Sequence, residues 1–261
     1  MQHDYAKQYA RLYRQHWWWR SREKAVVQTI RRLTDLPDQS TILDVGCGDA
    51  LSLPMLSSLS KQAEAWGIEI DKNTLIPGNP LHSRIYDKPL GDPLYEKMQF
   101  DLITALDVVE HIEDDQYAVD HMMQMLVPGG TLLITVPALP ALWTQHDEMN
   151  KHFRRYTRQS LTELLAPHGE LLDCRYLYTS LALPKLALAA LQRIRPSKPS
   201  TPQVPFAPLN RLLTGYCKAE WQLARRLRMP FGSSLIAAVR KPAEAAQLAP
   251  QPIAAPENIA A

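Results

Sequence analysis

The run Ile42-Leu43-Asp44-Val45-Gly46-Cys47-Gly48-Asp49-Ala50 constrains this chain most: an apolar strand enters a glycine-rich turn. Glycines lacking a Cβ let the backbone approach a ligand closely. A helix starting beyond the turn aims its free N–H groups at that ligand. Glu69 stands 25 residues after Asp44, at the end of the next apolar run. A carboxylate there can accept both hydroxyls of a ribose. The pattern predicts a nucleotide-type cofactor over the first two strands of a parallel sheet. The dinucleotide fingerprint would place glycine at 51, where Leu51 stands. Asp44 and Asp49 would repel a pyrophosphate and suit a cationic ligand better. Asp87, after the third strand, is placed to accept from an adenine amino group.

Hydrophobic periodicity predicts one helix over 5–34, with Trp17, Trp18 and Trp19 at its middle as packing or as a lid. Strands are predicted over 41–45, 65–70, 82–86, 100–105, 131–136, 171–178 and 234–239. Helices are predicted over 51–59, with Pro54 in the first turn, and over 114–126, ended by Pro128-Gly129-Gly130. Another follows over 160–165, with Thr157 or Ser160 as cap. Strands alternating with helices argue a mostly parallel sheet with helices on both faces.

The expected organisation is a helical cap over 1–36, a main domain over 37–241 with a helical insertion at 180–232, and a disordered tail over 242–261. The insertion reads as helices over 181–195 and 209–228 joined by a Pro/Ser linker. Net charge is only +2, but residues 175–241 hold eight Arg and four Lys against one acid, Glu220. That asymmetry suggests an anionic partner such as a lipid head group. No patterned aromatics of an RNA-binding module occur, which argues against nucleic acid. Three widely spaced cysteines fit no disulfide framework, so a reducing, cytoplasmic location is expected, or a peripheral one on the inner face of the membrane.

Four motifs carry a resemblance to the class I S-adenosylmethionine-dependent methyltransferases: residues 42–50, Glu69 within 67–71, residues 100–112 and residues 126–137. The family's usual third glycine is Ala50 here. The resemblance implies a Rossmann-like, seven-stranded, mostly parallel sheet whose last strand is antiparallel. It implies S-adenosylmethionine as cofactor, with Asp44, Gly46, Cys47 and Gly48 around the methionine part. Glu69 would hold the ribose and Asp87 would meet the adenine, while Ala105 and Leu106 line the methionine moiety.

Methyl transfer from a sulfonium needs alignment and exclusion of water, and a base where an oxygen or nitrogen must lose a proton. His111 stands four residues after Asp107; on a helix the two would share a face. Residues 143–156 hold the other candidates: His146 or His152 as base, Arg154 or Arg155 as an anion clamp, and Tyr156 as a phenol. A His-x-Arg-Arg-Tyr run with an N-terminal His-Trp-Trp recurs in a bacterial subgroup, which brings Trp18 in as an acceptor-binding candidate. No metal is expected: Asp107, His111 and Asp114 form a conceivable set, but the family's metal-dependent members are arranged differently. The expected acceptor is small or lipid-like, methylated at oxygen, nitrogen or carbon. The alternatives are a membrane-associated protein that binds the cofactor without turnover and an NAD-dependent oxidoreductase.

Overall fold

The computed structural model describes residues 2–195 and 202–243. Seven strands form one sheet in the order β3-β2-β1-β4-β5-β7-β6. They are β1 (Thr41–Val45), β2 (Glu64–Ile68), β3 (Ile85–Tyr86), β4 (Phe100–Leu106), β5 (Leu126–Pro137), β6 (Glu170–Leu177) and β7 (Ser234–Arg240). β1 pairs in parallel with β2 and β4, and β5 in parallel with β4. β7 runs antiparallel to both β5 and β6. The helices are α1 (Gln2–Gln15), α2 (Trp17–Leu33), α3 (Leu53–Ser57), α4 (Asp115–Gln124), α5 (Gln145–Met149), α6 (Arg158–Leu165), α7 (Thr179–Ile194) and α8 (Ala207–Ala224).

The sheet is buried on both faces because its strands alternate between two cores. Leu43, Ile103, Leu132 and Leu235 pack on one side with Val119 and Met122 of α4 and Leu161 of α6. Ile42, Leu102, Leu133 and Ile236 pack on the other with Val26 and Ile30 of α2 and Trp221 of α8.

Several predicted boundaries move for local reasons. The single N-terminal helix is two. His16 is extended and caps α2 by accepting from the Trp18 N–H. Asn210 of α8 closes the break, accepting from Trp17 N–H at 2.9 Å and donating to the Gln15 carbonyl. Residues 80–84 form a 3-10 turn ahead of a two-residue β3. Pro128-Gly129-Gly130 does not end α4, which stops at Gln124. It lies inside β5, where the pairing with β4 shifts register. Pro54 does sit in the first turn of α3, and Thr157 caps α6. The expected linker ends early because α8 begins at Ala207 with proline in its first turn. Residues 196–201 of that linker and 244–261 of the tail lie outside the described residues.

Candidate active site

The cofactor loop follows β1. Gly46 has φ +69°, and a Cβ there would meet Val108 Cγ2 at 2.6 Å, so conformation and space both call for glycine. Its N–H donates to the Ile68 carbonyl at 2.8 Å, tying the loop to β2. Gly48 has φ +54° with open space where its Cβ would stand. Its N–H donates to Glu69 Oε2 at 2.9 Å, while Asp71 N–H donates to Oε1 at 2.8 Å. Burial raises the Glu69 pKa and these two N–H groups pull it back. Each oxygen keeps lone-pair capacity for a further donor.

Asp44 is buried beneath the loop, accepting from Thr104 Oγ1 at 2.5 Å and from Ser52 Oγ. Burial pushes its pKa up to about 6 against these two bonds. Asp49 does not face a ligand. Its Oδ1 accepts from the Ile76 N–H at 2.8 Å and bonds His82 Nε2 at 2.8 Å, which fixes the loop after β2.

A cavity of about 740 Å³ opens over the carboxyl ends of the strands, where α/β proteins place their sites. Gly46, Gly48 and Glu69 form part of its wall, His111, Asn150 and Phe153 another part, and Ala6 and Tyr9 of α1 a third. A recess of about 30 Å³ is lined by Asp44, Cys47 and Leu106 together with Arg22. Ala105 is fully buried and lines neither space. Asp87 is also outside both walls, with its carboxylate 3.3 Å from Lys72 Nζ. The larger volume falls within the roughly 300–1,000 Å³ usual for small-molecule sites. The residues present therefore fit a nucleoside cofactor: an open glycine loop, a carboxylate with spare acceptors and a cavity joining both.

The segment after β5 is organised by Asp147, which is fully buried. Its Oδ1 bonds His152 Nδ1 at 2.9 Å and Arg155 Nε at 2.8 Å. Its Oδ2 accepts from Arg155 Nη2 at 2.9 Å and Thr144 N–H at 2.8 Å. Burial opposes ionisation, yet the His152 and Arg155 bonds hold Asp147 well below the usual carboxylate range.

This corrects several sequence expectations. Arg155 is no anion clamp, since its remaining nitrogen donates to the Ala138 carbonyl at 3.0 Å. Arg154 pairs with Asp115 at 2.7 Å and donates to the Glu113 carbonyl. Tyr156 is buried, with its hydroxyl donated to Asp115 Oδ2 at 2.8 Å; burial and that carboxylate raise its pKa, so it serves as a strut. His146 bonds Asn150 Nδ2 at 3.0 Å on the surface and lines neither space. Trp18 packs on Tyr178, with the Arg22 guanidinium 4.9 Å from its ring centre, away from the cavity wall. The polar character of residues 143–156 serves mainly to fold that segment.

His111 does line the cavity. It lies on a 3-10 turn (Val109–His111), so it does not stack over Asp107 as on a helix. Asp107 instead pairs with Arg22. The His111 ring meets that of His152 edge-on, with centres 4.6 Å apart. Burial and the neighbouring imidazole lower its pKa, which favours the neutral ring. Sequence reasoning missed Glu110 beside it. That residue is 1% exposed, and its carboxylate oxygens have no hydrogen-bond partner among the described residues. Burial and Asp107 raise its pKa well above the carboxylate range. Its position in an apolar run was the only available signal. Ala6, Tyr9 and Arg22, from the N-terminal helices, were also missed.

Comparison with known proteins agrees with this geometry. A family described as "Methyltransferase domain" matches residues 18–169. A mitochondrial ubiquinone biosynthesis O-methyltransferase of Dictyostelium discoideum is 24% identical over 112 residues, 36% of this chain and 34% of that protein. A probable S-adenosylmethionine-dependent methyltransferase of Mycolicibacterium smegmatis is 25% identical over 167 residues, 60% of this chain and 61% of its own length. The matches thus span about a third and three fifths of those two relatives. A Haloferax volcanii methyltransferase solved with the Trm112 activator shares the fold, with TM-score 0.58, 12% identity and coverage of 93% of this chain and 98% of that one.

Proposed function

Because this chain belongs to the methyltransferase-domain family, we propose that it is an S-adenosylmethionine-dependent enzyme that methylates an oxygen or nitrogen of a small, largely apolar acceptor held against His111. The observation that carries this reading is the single cavity shared by the Glu69 loop and His111. S-adenosylmethionine supplies a methyl on a sulfonium, so transfer is an in-line displacement with a neutral thioether as leaving group. Glu69 would hold the ribose, and Gly48, open where its Cβ would stand, leaves room for the methionine portion. Ile70, Val108, Ile112 and Phe153 present apolar surface to the acceptor and exclude water. An acceptor positioned there gains mainly from proximity and alignment. The name of the Dictyostelium relative, an O-methyltransferase, favours oxygen.

The test is incubation of the purified protein with cell extract and isotopically labelled methyl donor, followed by mass spectrometry of small molecules. A labelled product that disappears with the Glu69→Ala variant is expected. Cofactor binding with no labelled product from any extract would favour a binding protein without turnover.

A second feature favours a lipid-like acceptor. On α7, Leu183, Leu191 and Ile194 are 65%, 56% and 79% exposed. Glu220, the one acid of 175–241, accepts from Ser180 N–H and Oγ at 2.8 Å each and so helps start α7. Exposed aliphatic residues beside excess Arg and Lys suit the surface of an anionic bilayer. No described helix is long and apolar enough to cross a membrane. In this reading the enzyme works at the inner membrane face and takes its acceptor from there.

A further inference from the structure

We propose that Glu110, His111 and His152 bind a divalent first-row transition ion at the acceptor wall of the cavity. One ligating atom from each residue falls within 4.8 Å of the others. An ion bound at about 2.1 Å to each would set the donors roughly 3.4 Å apart, so binding draws the ligating atoms together by at most about 1.4 Å.

The surroundings look built for ligation. Glu110 is buried, and neither carboxyl oxygen has a hydrogen-bond partner among the described residues; a buried carboxyl left so calls for a partner, which an ion displacing its proton would supply. The two nearby guanidinium groups are committed elsewhere, Arg22 to Asp107 and Arg155 to Asp147. His152 already uses Nδ1 on buried Asp147, which leaves Nε2 for an ion. A carboxylate behind a ligating imidazole fixes its orientation and raises its basicity. His111 lies on the same 3-10 turn as Glu110, with its ring on the cavity wall. Phe153 N–H donates to the Glu110 carbonyl at 2.8 Å, stitching the segment of His152 to the turn of Glu110 and His111.

Two imidazoles and one carboxylate suit zinc, cobalt, iron or manganese rather than magnesium or calcium. His111 lines the cavity, so the open side of such a site would face the acceptor. An ion there would hold an acceptor oxygen and lower the pKa of its hydroxyl, with the proton passing to solvent. His111 then acts on the acceptor through the ion rather than by taking the proton itself. This role rests on the methyl-transfer reading, whereas binding of the ion does not. It revises the expectation that no metal is involved: His152 lies 41 residues from His111 in sequence, and only the fold joins them.

The 261-residue chain, stripped with chelator, would be titrated with Co2+ and followed by visible absorption, with S-adenosylhomocysteine calorimetry run in parallel. One equivalent of Co2+ is expected, undisplaced by millimolar Mg2+. Glu110→Gln and His152→Ala should each weaken it tenfold or more, while His168→Ala, at a residue that bonds Gln116 and lines neither space, leaves it unchanged. Equal Co2+ affinity in all variants, or no saturable binding, would overturn the site. If a variant misfolds, the wild-type chain still decides. Co2+ should protect His111 and His152, as mapped by mass spectrometry, from diethyl pyrocarbonate, and equal labelling with and without Co2+ would again refute it. Homocysteine-cofactor binding without Co2+ binding removes the ion and leaves the proposed function standing. Loss of cofactor binding alone removes the latter.

Discussion

Arg22, buried in α2, pairs with Asp107, the residue that follows β4. Asp107 takes φ +59° to make this contact. Burial disfavours the Arg22 charge, but Asp107 outweighs it and keeps the guanidinium protonated. Asp107→Asn should tolerate the backbone, since asparagine enters the left-handed region readily. It would leave the guanidinium unpaired, at about 3–5 kcal/mol. Thermal denaturation should show a loss of at least about 6 °C for a chain of this size. Adding Arg22→Met should restore part of it, as a double-mutant cycle would measure. Strictly additive losses would show that the pair contributes no coupling.

Glu69→Ala should weaken S-adenosylhomocysteine binding tenfold or more, about 1.4 kcal/mol. The substitution removes the ribose acceptor and also frees the Gly48 and Asp71 N–H groups it now holds. Glu69→Gln should lose less, because one oxygen remains. Calorimetry distinguishes the two, and unchanged affinity in the alanine variant would refute the ribose role.

Asp44 gives a stability signature in pH. Folded, it takes its proton at about 6, against a usual value of 3.8. Between those values the folded state holds more protons than the unfolded state, so ionisation of Asp44 lowers stability as pH rises from about 4 to 6. At pH 7.5 the penalty is about 3 kcal/mol, at roughly 1.4 kcal/mol per pH unit. Asp44→Asn keeps an oxygen for the hydroxyls and carries no charge. It should therefore melt higher than wild type above pH 6, with the gain fading below pH 4. A melting difference that stays constant with pH would contradict the assignment.

Vesicle sedimentation tests the α7 surface. The chain should pellet with vesicles rich in anionic lipid and stay in solution with neutral ones, and added salt should weaken the effect. Leu191→Glu with Ile194→Glu should reduce pelleting while cofactor affinity stays constant. Equal recovery on both vesicle types would remove the electrostatic part of the proposal.

The cofactor half was readable in the sequence because its signals are local. Gly46, Gly48 and Glu69 lie within 24 consecutive residues and each acts through backbone geometry or the end of a strand. The strands were readable because burial on both faces leaves continuous apolar runs. The acceptor half was not, because its meaning depends on burial. Nothing local separates Asp147, fully buried, from Glu148, which is exposed. The break before α2 depends on Asn210, 193 residues from Trp17. Glu110 looked like one more polar residue in an apolar run, and only the fold places its carboxylate beside two imidazoles.

Asp147 draws its side-chain bonds from Thr144, His152 and Arg155, all within a dozen residues of chain. Gly48 and Asp71, in turn, anchor Glu69. The wall proposed to meet the acceptor thus carries its own keystone and borrows little from the loop proposed to grip the donor. Residues 139–156, together with the turn of Glu110 and His111 to which Phe153 binds them, could diverge as a unit. A lineage could change what it methylates there while the grip on the methyl donor is inherited intact.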